Sequence, residues 1–231
     1  MMGVSEFTQK AVRVAYLAAV NCSLVGLGLT FGCAGGAFPG ASSVHSDMNW
    51  VCNDRADRAV QQGDTERGIA LHEAFVAKYP DNGLALYHLG YAYGRAGNQL
   101  KEAAYYKKAI ALGFKCDSIF FNLGMAYLDL DQPDKSIDAF NMVLEMDGKS
   151  ADSHFGLAIA YQRKGQGETA EVEFLKALEI DPEHLEARLN LSWLYADKGD
   201  LEKARKGLNE ILKTEPNHAI ARESLDRVSR R

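Results

Sequence analysis

The strongest constraint in this chain is a period. Gly63, Gly97, Asp131, Gly165 and Gly199 follow one another at steps of 34 residues. Ala59, Tyr93, Tyr127, Tyr161 and Tyr195 keep the same step, as do Leu89, Leu123, Leu157 and Leu191. So do the boundary positions Pro80, Phe114, Gly148, Pro182 and Pro216. A chain repeating at this length folds as a stack of like units, each covering its neighbour's apolar face, rather than around one central core. The frame divides residues 49–218 into five units: 49–82, 83–116, 117–150, 151–184 and 185–218.

Each unit reads as two amphipathic helices. In the fourth, "ADSHFGLAIAYQRKG" places Leu157, Ala158 and Tyr161 on one helical face, and Gly165 ends the helix. "ETAEVEFLKALEIDP" follows, with Ala170, Phe174, Ala177 and Leu178 on one stripe and Pro182 as the stop. Only 5 prolines in 231 residues suit a helix-rich chain. The predicted fold is therefore all-α, an α-solenoid of helix-turn-helix units. Residues 219–231, "AIARESLDRVSRR", supply a polar terminal helix over the last apolar face.

"YHLGYAY" (87–93), "FNLGMAY" (121–127) and "AEVEFLKALEIDP" (170–182) carry a further signal. Leu-Gly, then Tyr, then Ala-x-x-x-Phe, then Pro over 34 residues resembles the tetratricopeptide repeat. Departures are local. Arg55 stands where the pattern expects Leu, His72 where it expects an aromatic, and Glu102 where it expects a small residue.

The resemblance implies a right-handed superhelix with a concave groove, lined mainly by the first helix of each unit at positions 2, 5, 9, 12 and 13. Positions 5 and 9 are Asn53 and Asp57, Tyr87 and Tyr91, Phe121 and Met125, Phe155 and Ile159, and Leu189 and Trp193. Leu128 occupies position 12 of the third unit, and Arg95 and Arg163 occupy position 13 of theirs. Phe121 and Met125 lie off the packing stripe, so a row of large apolar side chains is expected on a neighbouring face. Contiguous exposed apolar patches mark binding surfaces. The alternative is that the curled superhelix buries them against the next first helix. Read as a groove, the row fits an apolar segment of a partner protein better than a free carboxylate, since no groove position carries Lys.

The N-terminus has a different composition. Lys10 and Arg13 precede "VAYLAAVNCSLVGLGLTF" (14–31), which carries no charge, and small residues follow. A basic start, an apolar run and then small residues are the layout of a secretory signal, here 1–32. Residues 33–48 have the composition of a flexible tether. Cys33 sits at the junction and resembles the acylated first residue of a bacterial lipoprotein, with Gly32 before it, although Phe31 and Thr30 do not match that motif. Conventional cleavage near Ala37 and an uncleaved anchor are the other readings. Lipidation implies attachment to a membrane, and Ala34 favours an outer-membrane lipoprotein facing the periplasm.

The net charge of −5 argues against nucleic-acid binding, which needs a basic face. No GxxxxGK[ST] loop is present, and "DLDQPDK" (129–135) lacks the glycine and terminal Glu of a calcium loop. The four cysteines, Cys22, Cys33, Cys52 and Cys116, do not read as a disulfide framework. No His stands at zinc-ligand spacing, and the six histidines are expected in packing or surface roles. No catalytic residue, metal or cofactor is expected. The expectation is a non-enzymatic protein-binding scaffold or assembly factor of the bacterial cell envelope, serving type IV pilus or outer-membrane machine assembly. The alternatives are an adaptor docking cell-wall hydrolases or proteases, and a membrane-anchored periplasmic chaperone accessory.

Overall fold

The computed structural model describes residues 52–230. The signal, tether and Cys33 expectations lie outside the described residues, as do the first three residues of the 49–82 unit. Eleven helices and no strands are formed among the described residues. They are α1 (Asp54–Gln61), α2 (Thr65–Lys78), α3 (Gly83–Arg95), α4 (Gln99–Ala111), α5 (Asp117–Asp129) and α6 (Pro133–Met146). α7 (Ala151–Arg163), α8 (Gly167–Ile180), α9 (Leu185–Lys198), α10 (Leu201–Thr214) and α11 (Ala219–Ser229) follow. No helix among the described residues is long and apolar enough to cross a membrane.

The turn inside each pair is one motif used five times. The amide of Asn98 donates to the carbonyl of Tyr93, and that of Gly97 to Gly94. The same two bonds recur at Asp64 and Gly63, Gln132 and Asp131, Gln166 and Gly165, and Asp200 and Gly199. This closure needs a left-handed residue after the helix, which glycine adopts without a Cβ penalty. Gly97 has φ +77°, and Asp131 takes the same role at φ +54°. Asp64, Asn98 and Asp200 then accept an amide from the following helix as N-caps.

Packing runs within each pair and then to the next unit. The two helices of a unit share their apolar faces, each second helix packs on the next first helix, and α10 packs on α11. First helices also approach one another directly: α1 with α3, α3 with α5, α5 with α7, and α9 with α11. The first helices therefore form the inner side of the stack. The residue at position 24 of each unit is the keystone of its pair. His72, Tyr106, Phe140, Phe174 and Leu208 are all essentially inaccessible. Glycines on the facing first helix admit the ring. A Cβ at Gly124 would stand 2.8 Å from Phe140 Cε1, and one at Gly156 would overlap the other side of the same ring.

Candidate functional site

The inner face is built from the first helices, and its residues separate by helix position. At position 5, Tyr87, Phe121, Phe155 and Leu189 are buried at 2–7% exposure. Each faces the second helix of its own unit. Tyr87 lies 5.6 Å from the Tyr106 ring, Phe121 5.4 Å from Phe140, and Phe155 6.0 Å from Phe174. Leu189 belongs to the C-terminal core with Leu208 and Ile211. Leu128, at position 12, is buried as well. The expectation that these five side chains meet a partner is corrected here: they are spent on packing. Asn53 also differs from its counterparts. α1 starts five residues later in its unit than α3 does, and Asn53 caps it, accepting the amides of Arg55 and Ala56.

Position 9 is what remains open. Tyr91, Met125 and Ile159 are half-buried, at successive 34-residue steps along the inner face. Trp193 continues the row and is half-buried too, but its indole N–H donates to Ser224 Oγ of α11 at 2.9 Å, so the terminal helix already holds it. The two arginines differ. Arg163 donates to the Leu128 carbonyl at the end of α5, one unit back. Its guanidinium is held below the usual range by burial, against the opposing pull of Asp129 and Asp131. Arg95 is half-buried on the same side of the stack. The available surface is thus three large side chains with Arg95 at its edge.

The N-terminal end of the same face is polar. Asp57, at position 9 of the first unit, points its Oδ1 at His88 Nδ1, 2.7 Å away, and at His72 Nε2, 3.3 Å away. Both imidazoles are buried, and their rings stand edge-on at 89° with centroids 5.9 Å apart. Burial alone would raise the Asp57 carboxyl, but the two histidines outweigh it and hold the group at about 2. Cys52 lies beside this cluster, its thiol contacting Asp54 Oδ1 at 3.4 Å. Burial, Asp54 and Asp57 together push that thiol up to about 11. Cys52 is a free thiol.

Sequence spacing did not bring these groups together. Asp57, His72 and His88 sit on three helices, and a search for donors along the chain misses donors assembled across it. The available signal was the pair of departures at packed positions: His72 in the aromatic slot and Asp57 in the otherwise apolar position 9. Two other histidines also have carboxylate partners. His154 meets Glu173 at 2.7 Å. His184 lies 3.4 Å from Asp152 and 3.3 Å from Glu186, and it also caps α9 by accepting the Ala187 amide.

Tetratricopeptide repeat models match residues 53–113, 121–184 and 168–225. The chain belongs to the tetratricopeptide repeat family. Solved structures of the family share its fold. YrrB, described as a TPR protein with an unusual peptide-binding site, is 22% identical over 74% of this chain and 88% of its own, with a TM-score of 0.62. MamA is 24% identical over 73% of this chain and 99% of its own, with a TM-score of 0.66. A tetratricopeptide repeat protein from Parabacteroides merdae is 21% identical over 76% and 70%, with a TM-score of 0.67. No curated protein sequence matches the chain. Tetratricopeptide repeats are generally non-enzymatic modules for protein–protein interaction.

Proposed function

We propose that this tetratricopeptide repeat protein is an assembly scaffold of the bacterial envelope, tethered to a membrane through Cys33, that holds an apolar segment of a partner protein on its inner face. The observation that carries the binding reading is the row Tyr91, Met125 and Ile159, three large half-buried side chains repeated along one side of the stack. Such a row favours a ligand that is itself extended or helical, with apolar groups at regular intervals. Aromatic and Met side chains suit the centre of such a contact. The peptide-binding site described for YrrB supports the same reading. The apolar run 14–31 ahead of Cys33 supports export and attachment, and Ala34 supports an outer-membrane location.

Two experiments test this. A photo-crosslinker placed at Met125 in cells should trap a discrete partner, and Tyr91→Ala with Ile159→Ala should reduce that product at least tenfold while helicity is unchanged. An undiminished crosslink in the double variant removes the inner face from the reading. Metabolic labelling with a fatty acid should mark the wild type and spare Cys33→Ala. A wild-type protein without label is not a lipoprotein.

A further inference from the structure

The junction between the first two units carries a group that the rest of the solenoid does not. At position 24, every other unit places a Tyr, Phe or Leu in the helix–helix core; the first places His72, 1% exposed. At position 9, every other unit places a large apolar residue; the first places Asp57. His88, on the next first helix, completes the set and is itself buried. The donor atoms of these three residues all lie within 4.8 Å of one another.

A buried imidazole in an apolar slot costs stability unless its nitrogens are engaged. His72 directs Nε2 toward Asp57 Oδ1, while its Nδ1 is buried with no hydrogen-bond partner. One carboxylate oxygen thus serves two imidazole nitrogens, from two helices, with the rings perpendicular and converging on one point. Two imidazoles and a carboxylate are a donor set suited to zinc and its neighbours among the divalent transition metals. At metal–donor distances of about 2.0–2.2 Å, tetrahedral donors stand roughly 3.2–3.6 Å apart. The observed 2.7 and 3.3 Å need only small adjustment to open into that arrangement. Cys52 and Asp54 lie on the same side; together with Asp57 they form a second overlapping group of donors, so the approach is lined with anionic and soft atoms.

We propose that Asp57, His72 and His88 form a binding site for a zinc-type divalent metal ion. Bound there, the ion joins α1, α2 and α3 and clamps the first unit onto the second. The site is independent of the partner-binding row, which begins one unit further along.

The test uses the full chain, stripped of metal with a chelator and titrated with Zn²⁺ by calorimetry and with Co²⁺ by visible absorption. The wild type should take up one equivalent, show the absorption of a tetrahedral cobalt site, and unfold at higher temperature with Zn²⁺ than without. Asp57→Asn keeps the size of the side chain, and His72→Phe installs the residue that the third and fourth units use. Each should weaken binding about 100-fold or more, the upper end of what losing even an outer-shell partner costs, and abolish the thermal shift. Either variant alone suffices if the other fails to fold. A wild type that takes up no metal overturns the site and leaves a hydrogen-bonded core cluster only. Uptake retained equally in the variants also overturns it, by placing the metal elsewhere in the chain.

Discussion

The first and third units share one helix-pair geometry and fill it with opposite chemistry. In the third, Phe140 sits between Gly124 and Gly156, and Phe121 packs beside it. Nothing in that contact depends on protonation. In the first, His72 occupies the same slot and meets Asp57 and His88. The backbone frame evidently tolerates either filling, because the helices are set by the turn motif and by small residues on the facing helix. The interior of one unit is therefore free to vary while the stack persists. An apolar contact of this kind supplies stability at any pH; a half-buried carboxylate set against two buried imidazoles ties stability to proton concentration.

The comparison breaks most sharply at Phe140. Phe140→Ala should lower unfolding free energy by about 3–5 kcal/mol, because a fully buried ring is lost between two glycine-bearing helices that cannot close the gap. Urea denaturation followed by circular dichroism measures it, and a loss under about 1 kcal/mol would sink the keystone role. Overfilling the same place should cost less. Gly156→Ala brings a methyl group into the Phe140 ring and should destabilise by about 1–3 kcal/mol.

Acid sharpens the contrast between the two units. Asp57 is held at about 2 against an ordinary 3.8, so the folded state binds its proton less readily than the unfolded chain. That contribution, about 2 kcal/mol, is fully present above about pH 4 and is lost as pH falls toward 2. In chelator-treated protein, Asp57→Asn should flatten the pH dependence of stability across that window, whereas Phe140→Ala should lower the curve without changing its slope. Equal slopes for wild type and Asp57→Asn would show that the carboxylate is not coupled to folding.

The smallest effect concerns the frame common to both units. Asp131→Gly should stabilise by about 1 kcal/mol, since the third turn alone places a side chain at a left-handed position. Gly97→Ala should cost a similar amount although an added Cβ there meets no atom within 4 Å, which isolates backbone strain from packing. Thermal denaturation of the two variants in parallel gives both signs.

Much of this molecule was legible in its sequence. The 34-residue step in Gly, Tyr and Leu directly reflects the repeated turn motif, whose left-handed residue and helix-end carbonyl are local features. The inner face was legible only in part. A helix wheel shows that Phe121 and Phe155 leave the main stripe, but it cannot show that the second helix of the same unit wraps far enough round to bury them. Tyr91, Met125 and Ile159, one turn further on, escape that coverage. Trp193 belongs to the same row in sequence, yet its state is decided by Ser224, thirty-one residues away. Asp57, His72 and His88 meet only because three helices do, and their separations along the chain carry no signature of that meeting.

The contact of Trp193 with α11 also ties the inner row to the covering of the fifth unit. α11 buries Ala221, Ser224 and Val228 against the last unit and turns Arg222, Glu223, Asp226 and Arg227 outward. Arg222 is further held by the Pro216 carbonyl, as Arg188 is by Pro182 one unit earlier. The outer side of α11 is therefore charged, while its inner side is apolar. The helix that covers the apolar face of the fifth unit thus also holds the last large aromatic of the inner row, so the two roles cannot be separated by mutation of Ser224 alone.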